Sequence, residues 1–256
     1  MHEDFEKKME DFEDFAIKIE GVSKLFPTVD LKGKKSFVPA LLDVSLCVKS
    51  GSVTIVGGAN GSGKSVLMSL IAGLSKPTRG KIWTKSKAGL VFQDAATQIL
   101  GDTPLEDVLV GVKNLKIKNE KDVAENALKS VRLFEKSQMP AEFLSGGEKR
   151  RLAVASILAM GREIVIFDEP YANLDYPGVV DVNHLVEELH ESKKTVVILT
   201  HELEKCLALC DHFVILSGGK IVFDGFPQDA LLLEMEKWAI RNPLFSYKSI
   251  SDLVWR

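Results

Sequence analysis

Residues 57–66 read GGANGSGKSV and follow directly on the apolar run Val53, Thr54, Ile55, Val56. Four glycines and a lone lysine after a strand leave two readings: a loose turn into a helix, or a loop shaped around polyphosphate. The stretch Gly58, Ala59, Asn60, Gly61, Ser62, Gly63, Lys64, Ser65 satisfies G-x-x-x-x-G-K-[ST] at every constrained position. Glycines let successive backbone N–H groups curl inward around anionic oxygens, and a following helix adds its positive N-terminal end. In that pattern Lys64 reaches the β- and γ-phosphates and the Ser65 hydroxyl ligates Mg²⁺. The preceding strand and the helical run Val66 to Leu74 supply the context such a loop needs.

Further along, the run Ile164-Val165-Ile166-Phe167 ends abruptly in Asp168-Glu169-Pro170. Four apolar residues in a row suit a strand covered on both faces. Two carboxylates at its end cost free energy unless a cation or a proton-accepting role compensates. Asp168 suits Mg²⁺ through water, and Glu169 suits polarising an attacking water. Between the two elements lies Leu144-Ser145-Gly146-Gly147-Glu148-Lys149-Arg150-Arg151, a serine and two glycines opening a helix. This is a second anion-binding helix start in the same chain. Lys64 and Ser145 stand 81 residues apart with a helical stretch between them, so one chain need not bring them together.

Around these elements the chain alternates between strand and helix patterns. Residues 1–15 form an acidic tail carrying Phe5, Phe12 and Phe15, with no cationic and apolar signal pattern. Ala16–Ile19 and Leu41–Val48 read as strands separated by a polar stretch that contains KGKK, and Lys81–Trp83 and Leu90–Phe92 as short strands. Thr103, Pro104 and Glu106 form a capping-box helix start. Val123, Ala127 and Val131 give an amphipathic helix, and another runs over Gly147–Met160. Strand and helix alternation then resumes. A helix is expected over Gly178–His190, a strand at Thr195–Leu199 and a helix over Glu202–Leu209. A hairpin from Phe213 to Phe223 turns at Gly218-Gly219. Strands separated by helices imply a mainly parallel sheet with helices on both faces, interrupted by a helical insert at about 95–160.

Composition narrows the function classes. An apolar fraction of 45% with 27% charged residues suits an ordinary soluble core. The net charge of −3 offers no bulk attraction to nucleic acid, and no nucleic-acid partner is expected. No apolar run approaches the ~20 residues that cross a bilayer, so any membrane crossing is expected of another chain. Cys47, Cys206 and Cys210 lack zinc-like spacing and read as buried or half-buried thiols in a reducing compartment.

With these motifs in order, the sequence from about Ile17 to Asp224 resembles the nucleotide-binding subunit of ATP-binding cassette (ABC) transporters. GGANGSGKS resembles the Walker A loop, with Asn60, Gly61, Ser62, Gly63, Lys64, Ser65 and Val66 as ATP-binding positions. Phe26 stands where an aromatic stacks on adenine. VFQ, ending at Gln93, resembles the Q-loop, LSGGE the signature, IVIFDE the Walker B strand, and Asn173-Leu174-Asp175 the D-loop. His201, 33 positions beyond Asp168 at a strand end, stands at the switch histidine. The resemblance implies an α/β fold: a P-loop NTPase core with a mainly parallel sheet, N-terminal antiparallel β strands and an α-helical signature subdomain. It also implies hydrolysis of ATP with Glu169, His201 and Gln93 as catalytic residues. Mg²⁺ would be held by Ser65, Gln93 and Asp168. Two subunits, identical or different, are expected to pair head to tail, so that Ser145, Gly146, Gly147 and Glu148 contact ATP in trans.

The stretch VFQDAATQILGDTPLEDV narrows the resemblance to the ATPases of energy-coupling factor (ECF) transporters and their cobalt or nickel relatives, through Gln98, Thr103, Glu106, Asp107 and Val108. Ala95 and Ala96 depart from that pattern, and Val66 replaces a second hydroxyl. This narrower resemblance implies a motor at the cytoplasmic face of the cell membrane, coupled to a transmembrane subunit and a substrate-binding membrane subunit for a vitamin or a metal ion. Another ABC importer or exporter, and a soluble ABC protein that uses ATP as a dimerisation clamp, stay open as alternatives. Segment 94–102 is expected to dock the membrane partner through Gln98, Ile99 and Leu100. The chain divides as the tail 1–15, an ATPase domain 16–225, and a helical extension 226–256 in which Leu231, Leu232, Leu233, Met235 and Trp238 fall at helical spacing.

Overall fold

The computed structural model describes residues 14–29, 33, 35–247 and 249–250; residues 1–13 of the acidic tail lie outside the described residues. The described chain opens with two fifteen-residue strands, β1 (Phe15–Val29) and β2 (Lys35–Lys49). They pair antiparallel from Phe15↔Lys49 to Val29↔Lys35, with register shifts between Ile19 and Leu25. Both strands run well beyond the expected Ala16–Ile19 and Leu41–Val48. Their outer halves, such as Phe26, Pro27, Val29 and Lys35 to Pro39, are largely exposed. Without a buried face there is no alternation to read, and only the backbone ladder holds the ribbon. A third strand, β4 (Arg79–Thr84), pairs antiparallel on the other edge of β1.

The second sheet has six strands in the order β5-β6-β7-β3-β8-β9. They are β3 (Val53–Gly57), β5 (Ala88–Val91), β6 (Ile164–Asp168), β7 (Thr195–Thr200), β8 (His212–Ser217) and β9 (Lys220–Gly225). All neighbours run parallel except β9, which returns antiparallel along β8. Every residue of β3 and β7 is buried. Alternate side chains feed two cores. Val53, Ile55, Val165 and Phe167 face the larger one, shared with the helical insert. Val56, Ile164 and Ile166 face the other, shared with β1, β2 and the first helix.

That first helix, α1 (Lys64–Ile71), begins two residues earlier than the sequence suggests. The insert holds α2 (Pro104–Asn114) and α3 (Glu120–Ser130), packed on each other and on α4 (Gly146–Ala159). The Thr103 side chain caps α2 by accepting from the N–H of Glu106. Helix α4 is buried nearly all round, joining the insert to the sheet. Helix α5 (Tyr176–Glu191) follows β6.

Two expected helices are absent. Over Glu202–Leu209 the chain makes two 3-10 turns, Leu203–Lys205 and Leu207–Leu209, broken at Cys206. Leu203, Cys206, Leu207 and Cys210 are all buried. That spacing of three and four also fits successive tight turns, so periodicity alone does not separate the two. Over Leu231–Trp238 there is only a 3-10 turn at Met235–Trp238, preceded by a four-residue helix, α6 (Pro227–Ala230). Ala230, Met235 and Ile240 carry the burial while Leu232 is 85% exposed. Cys206 and Cys210 are buried free thiols and Cys47 is half-buried.

Leu128 is fully buried in the core between the insert and the sheet. Leu128→Ala is expected to lower stability by about 2–5 kcal/mol, read as a shifted urea midpoint. A midpoint at the wild-type value would show the insert to be packed more loosely than described.

Candidate active site

Strand register sets the site. Gly57 of β3 lies opposite Thr200 of β7, and Asp168 of β6 opposite Leu199. The C-terminal ends of three adjacent strands are therefore level, as in other open parallel sheets that bind ligands beyond those ends. Onto this edge the chain delivers the glycine loop, Glu169 and His201.

The loop is shaped by steric limits at two glycines. A Cβ on Gly58 would stand 2.4 Å from the Leu216 carbonyl oxygen, and Gly63 combines a φ of +109° with a Cβ position 2.7 Å from the Ala40 carbonyl oxygen. Lys64 is only 6% exposed. Its ammonium donates to the carbonyls of Gly58 at 2.6 Å and Ala59 at 3.2 Å, and lies 3.3 Å from Glu169 Oε1. The other carboxylate oxygen of Glu169 accepts from the His201 backbone N–H at 3.3 Å and sits 3.0 Å from His201 Nδ1. Glu169 thus bridges the loop lysine and the histidine. Its φ of +45° is a left-handed conformation for a residue with a side chain, a strain of ~1–2 kcal/mol, while its N–H is held by the Leu199 carbonyl at 2.8 Å.

Asp168 lies beside this pair. One of its oxygens, Oδ1, is buried with no hydrogen-bond partner. Burial raises its pKa above the ordinary carboxylate value, Glu169 adds to the rise, and Lys64 opposes it. A buried acceptor without a donor is costly, and a hydrated cation would relieve it. Among the described residues no group of three or more His, Cys, Asp or Glu could hold a metal by itself. Such a cation would need ligand oxygens as well, which is how Mg²⁺ binds beside substrate phosphates. Ser65 leaves its side chain exposed at the start of α1, Asn60 and Gly61 are exposed, and Val66 packs against the second core. Ser62 is buried with an unpartnered hydroxyl.

The Ser145 segment forms a separate constellation. Ser145 Oγ accepts from the Glu148 N–H at 3.2 Å and Glu148 Oε2 accepts from the Ser145 N–H at 2.9 Å, a complete capping box. Burial pushes the Glu148 pKa up, but hydrogen bonds from Lys136 and from the Ser145 backbone outweigh it, and the net direction is down. Nothing in the chain requires glycine here. A Cβ on Gly146 would meet only Arg150 Nη1, at 3.9 Å, and one on Gly147 would meet Asp181 at ordinary contact distance. The bare backbone is open to approach from outside. A groove of about 390 Å³ beside it is lined by Gln93, Gly146, Arg150 and Asn173, among others.

The structure therefore brings Lys64, Asp168, Glu169 and His201 together; Gln93 follows β5 at the same end of the sheet, and among the described residues no hydrogen bond or ion pair joins it or residues 145–148 to those four. Among the described residues no hydrogen bond or ion pair links residues 145–148 to the loop 58–65. Gln93 offers its carbonyl to Arg150 at 3.4 Å. Asp175 caps α5 by accepting from the Gly178 N–H at 3.0 Å. Phe26 is 44% exposed on the ribbon, with the Lys24 ammonium 5.2 Å from its ring centre. Two expectations for the docking patch need correction. The Gln98 side chain turns inward to the Leu90 carbonyl, and Ile99 packs partly into the core, leaving Leu100 75% exposed. Sequence patterns also missed the buried roles of Asp107 and Arg150. Their signal was a charge on an apolar helix face: Asp107 stands three residues from the buried Pro104 and beside Val108.

A glycine loop with a buried lysine, a paired Asp-Glu strand end and an inserted helical layer define a P-loop ATPase. The chain belongs to the ABC transporter family, which residues 41–172 match. It is 39% identical over 201 residues to the ECF transporter ATP-binding protein EcfA1 of Fusobacterium nucleatum, covering 72% of this chain and 76% of that one. To EcfA of Carboxydothermus hydrogenoformans it is 34% identical over 226 residues, 82% and 80% covered. To EcfA2 of Methanospirillum hungatei it is 36% identical over 209 residues, covering 75% of this chain and about half, 52%, of the archaeal protein. The structure superposes on cbiO1 from Clostridium perfringens, part of the ABC transporter complex cbiONQ, with a TM-score of 0.75 at 29% identity, covering 88% and 93%. A dimeric ATP-binding cassette bound to ADP and Pi after hydrolysis gives a TM-score of 0.68 at 27% identity, covering 82% and 98%.

Gly63 and Gly146 separate internal from external demand for glycine. Gly63→Ala is expected to lower the melting temperature, because φ and the Ala40 carbonyl both oppose a Cβ. Gly146→Ala is expected to leave melting unchanged and to reduce ATP hydrolysis, measured as phosphate release. A Gly146→Ala protein with full hydrolysis would remove the reason for an open backbone.

Proposed function

We propose that this protein is the ATP-hydrolysing motor subunit of an ECF-type importer, working at the cytoplasmic face of a membrane. Among the described residues no helix is long and apolar enough to cross a bilayer, so a separate transmembrane subunit would form the path. A second ATPase subunit, identical or different, would complete each ATP site. A third, substrate-binding membrane subunit would select the cargo, a vitamin or a transition-metal ion. The similarity to EcfA proteins and to cbiO1 supports this reading.

The observation that carries the chemistry is Glu169 held between Lys64 and His201 at the mouth of the glycine loop. Lys64 and the loop N–H groups bind the β- and γ-phosphates. Polyphosphate competes with Glu169 for the lysine, freeing the carboxylate to accept a proton from the attacking water as it adds to the γ-phosphorus. His201, whose Nδ1 and backbone N–H already hold Glu169, keeps that carboxylate aimed. The buried unpartnered oxygen of Asp168, with Ser65 and Gln93, would hold Mg²⁺, which would supply positive charge beside the phosphates. Phe26 offers its exposed face to the adenine ring. The open backbone at Gly146 and Gly147, with Ser145 as cap, suits the γ-phosphate of ATP bound to the partner, and Asp175 would lie at the same boundary between subunits.

Glu169→Gln is expected to bind ATP and hydrolyse it ~10²-fold or more slowly, accumulating as an ATP-bound dimer on size exclusion. Turnover near wild type would shift the proton-accepting role to another group. Detergent extracts should yield the protein together with a transmembrane chain, and Leu100→Asp should weaken that pull-down while ATP binding survives. A protein that always purifies alone, yet dimerises with ATP, would instead be a soluble clamp.

A further inference from the structure

Between the end of β5 and the start of α2 the chain passes through Gln93, a 3-10 turn at Ala95–Gln98 and the exposed Leu100. This strap is fastened by three side chains. Gln98 closes it from within, its amide N–H donating to the Leu90 carbonyl at 2.8 Å and its Oε1 accepting from the Phe92 N–H at 3.2 Å. Arg150, 5% exposed on the first turns of α4, donates to the Gln93 carbonyl at 3.4 Å. Asp107, 7% exposed on α2, holds the far end.

The two oxygens of Asp107 face different elements. Oδ1 accepts from the N–H groups of Leu100 at 2.6 Å and Gly101 at 3.2 Å. Oδ2 accepts from Ser156 Oγ of α4 at 2.9 Å. A buried carboxylate is tolerated only when donors satisfy it, and here three donors do so, drawn from both sides of a joint. A serine inside a helix ordinarily bonds its own preceding carbonyl; Ser156 reaches across instead. Gly101 is pressed so close that a Cβ would lie 2.2 Å from the Asp107 nitrogen. The strap therefore meets α4 at both ends, through Arg150 near Gln93 and through Asp107 and Ser156 near Leu100. Helix α4 begins at the Ser145 cap.

We propose that Asp107 is a positioning residue that latches the Gln93 strap to α4 through Ser156, so that Gln93 and the Ser145 end of α4 move as one body. The inference rests on the ATPase reading above. The N–H of Leu100 is tied to Asp107 while its side chain projects outward, so a push on Leu100 is delivered through the carboxylate to Ser156. Asp107 touches no nucleotide-binding group; it acts through the two elements that do.

Ser156→Ala cuts the link to α4 and leaves the strap's own bonds to Asp107 in place, and Ser156→Thr keeps the hydroxyl. Both are compared with wild type in the full-length protein, purified with whatever ATPase partner accompanies it. Expected for Ser156→Ala is a KM for ATP within about twofold of wild type and a kcat about tenfold lower, the scale of a misplaced catalytic group. Ser156→Thr should stay at the wild-type kcat. Hydrogen exchange with a non-hydrolysable ATP analogue supplies a second readout. In wild type, protection at residues 93–101 and 145–150 should change together; in Ser156→Ala the 145–150 change should be lost or separated from the other. Wild-type kcat with joint protection changes in a folded Ser156→Ala protein, whatever its melting temperature, overturns the latch. Absence of hydrolysis in the wild type would overturn the ATPase reading, and the exchange comparison would still decide the latch.

Discussion

The arrangement turns on a buried ion pair, Lys64 with Glu169. The lysine is 6% exposed and the carboxylate side chain 12%, so neither charge is well solvated and each depends on the other. Everything nearby serves to keep them in reach. The loop glycines bend the chain so that Lys64 points back over β3, the Leu199 carbonyl holds Glu169 in a left-handed backbone, and His201 occupies the remaining carboxylate oxygen. Remove the parallel register of β3, β7 and β6 and these three groups no longer share an edge. In the proposed reaction the pair is poised rather than permanent: a polyphosphate would offer the lysine a better partner and leave the carboxylate free for proton transfer.

A second dependence runs through α4. One helix forms the wall between the insert and the sheet, carries the Ser145 cap at its open end, and anchors Arg150 and Ser156 beneath the strap. Its burial on nearly every side ties it by one core to both the insert and the sheet. A ligand that engaged the cap would therefore bear on a helix packed into both layers.

The sequence made the chemical centre legible because its residue types have few alternative uses. A lysine after a glycine at the end of an apolar run, or two acids at the end of another, is hard to account for by packing. Lys64, Glu169 and His201 meet as their strand positions imply. Among the described residues no hydrogen bond or ion pair joins Gln93 or Ser145 to them, and for Ser145 no pattern within one chain says where residues of a second subunit would fall. The outer half of the β1–β2 ribbon was invisible because its side chains are solvated and carry no period. The turns at 203–209 mimicked a helix because four buried residues at spacings of three and four satisfy both geometries. Asp107 and Gln98 were visible as letters of a family pattern, but their bonds to backbone N–H and carbonyl groups follow only from three-dimensional placement.

Strand β5 forms one margin of the six-stranded sheet, and a margin strand presents unpaired backbone groups that invite another chain to add itself. The Gln98 amide meets the carbonyl of Leu90 and, just past the strand, the N–H of Phe92. A side chain thereby imitates a neighbouring strand at the last residues of the margin. The same two bonds that steady the route to Gln93 satisfy backbone groups at which an added strand would otherwise begin to pair.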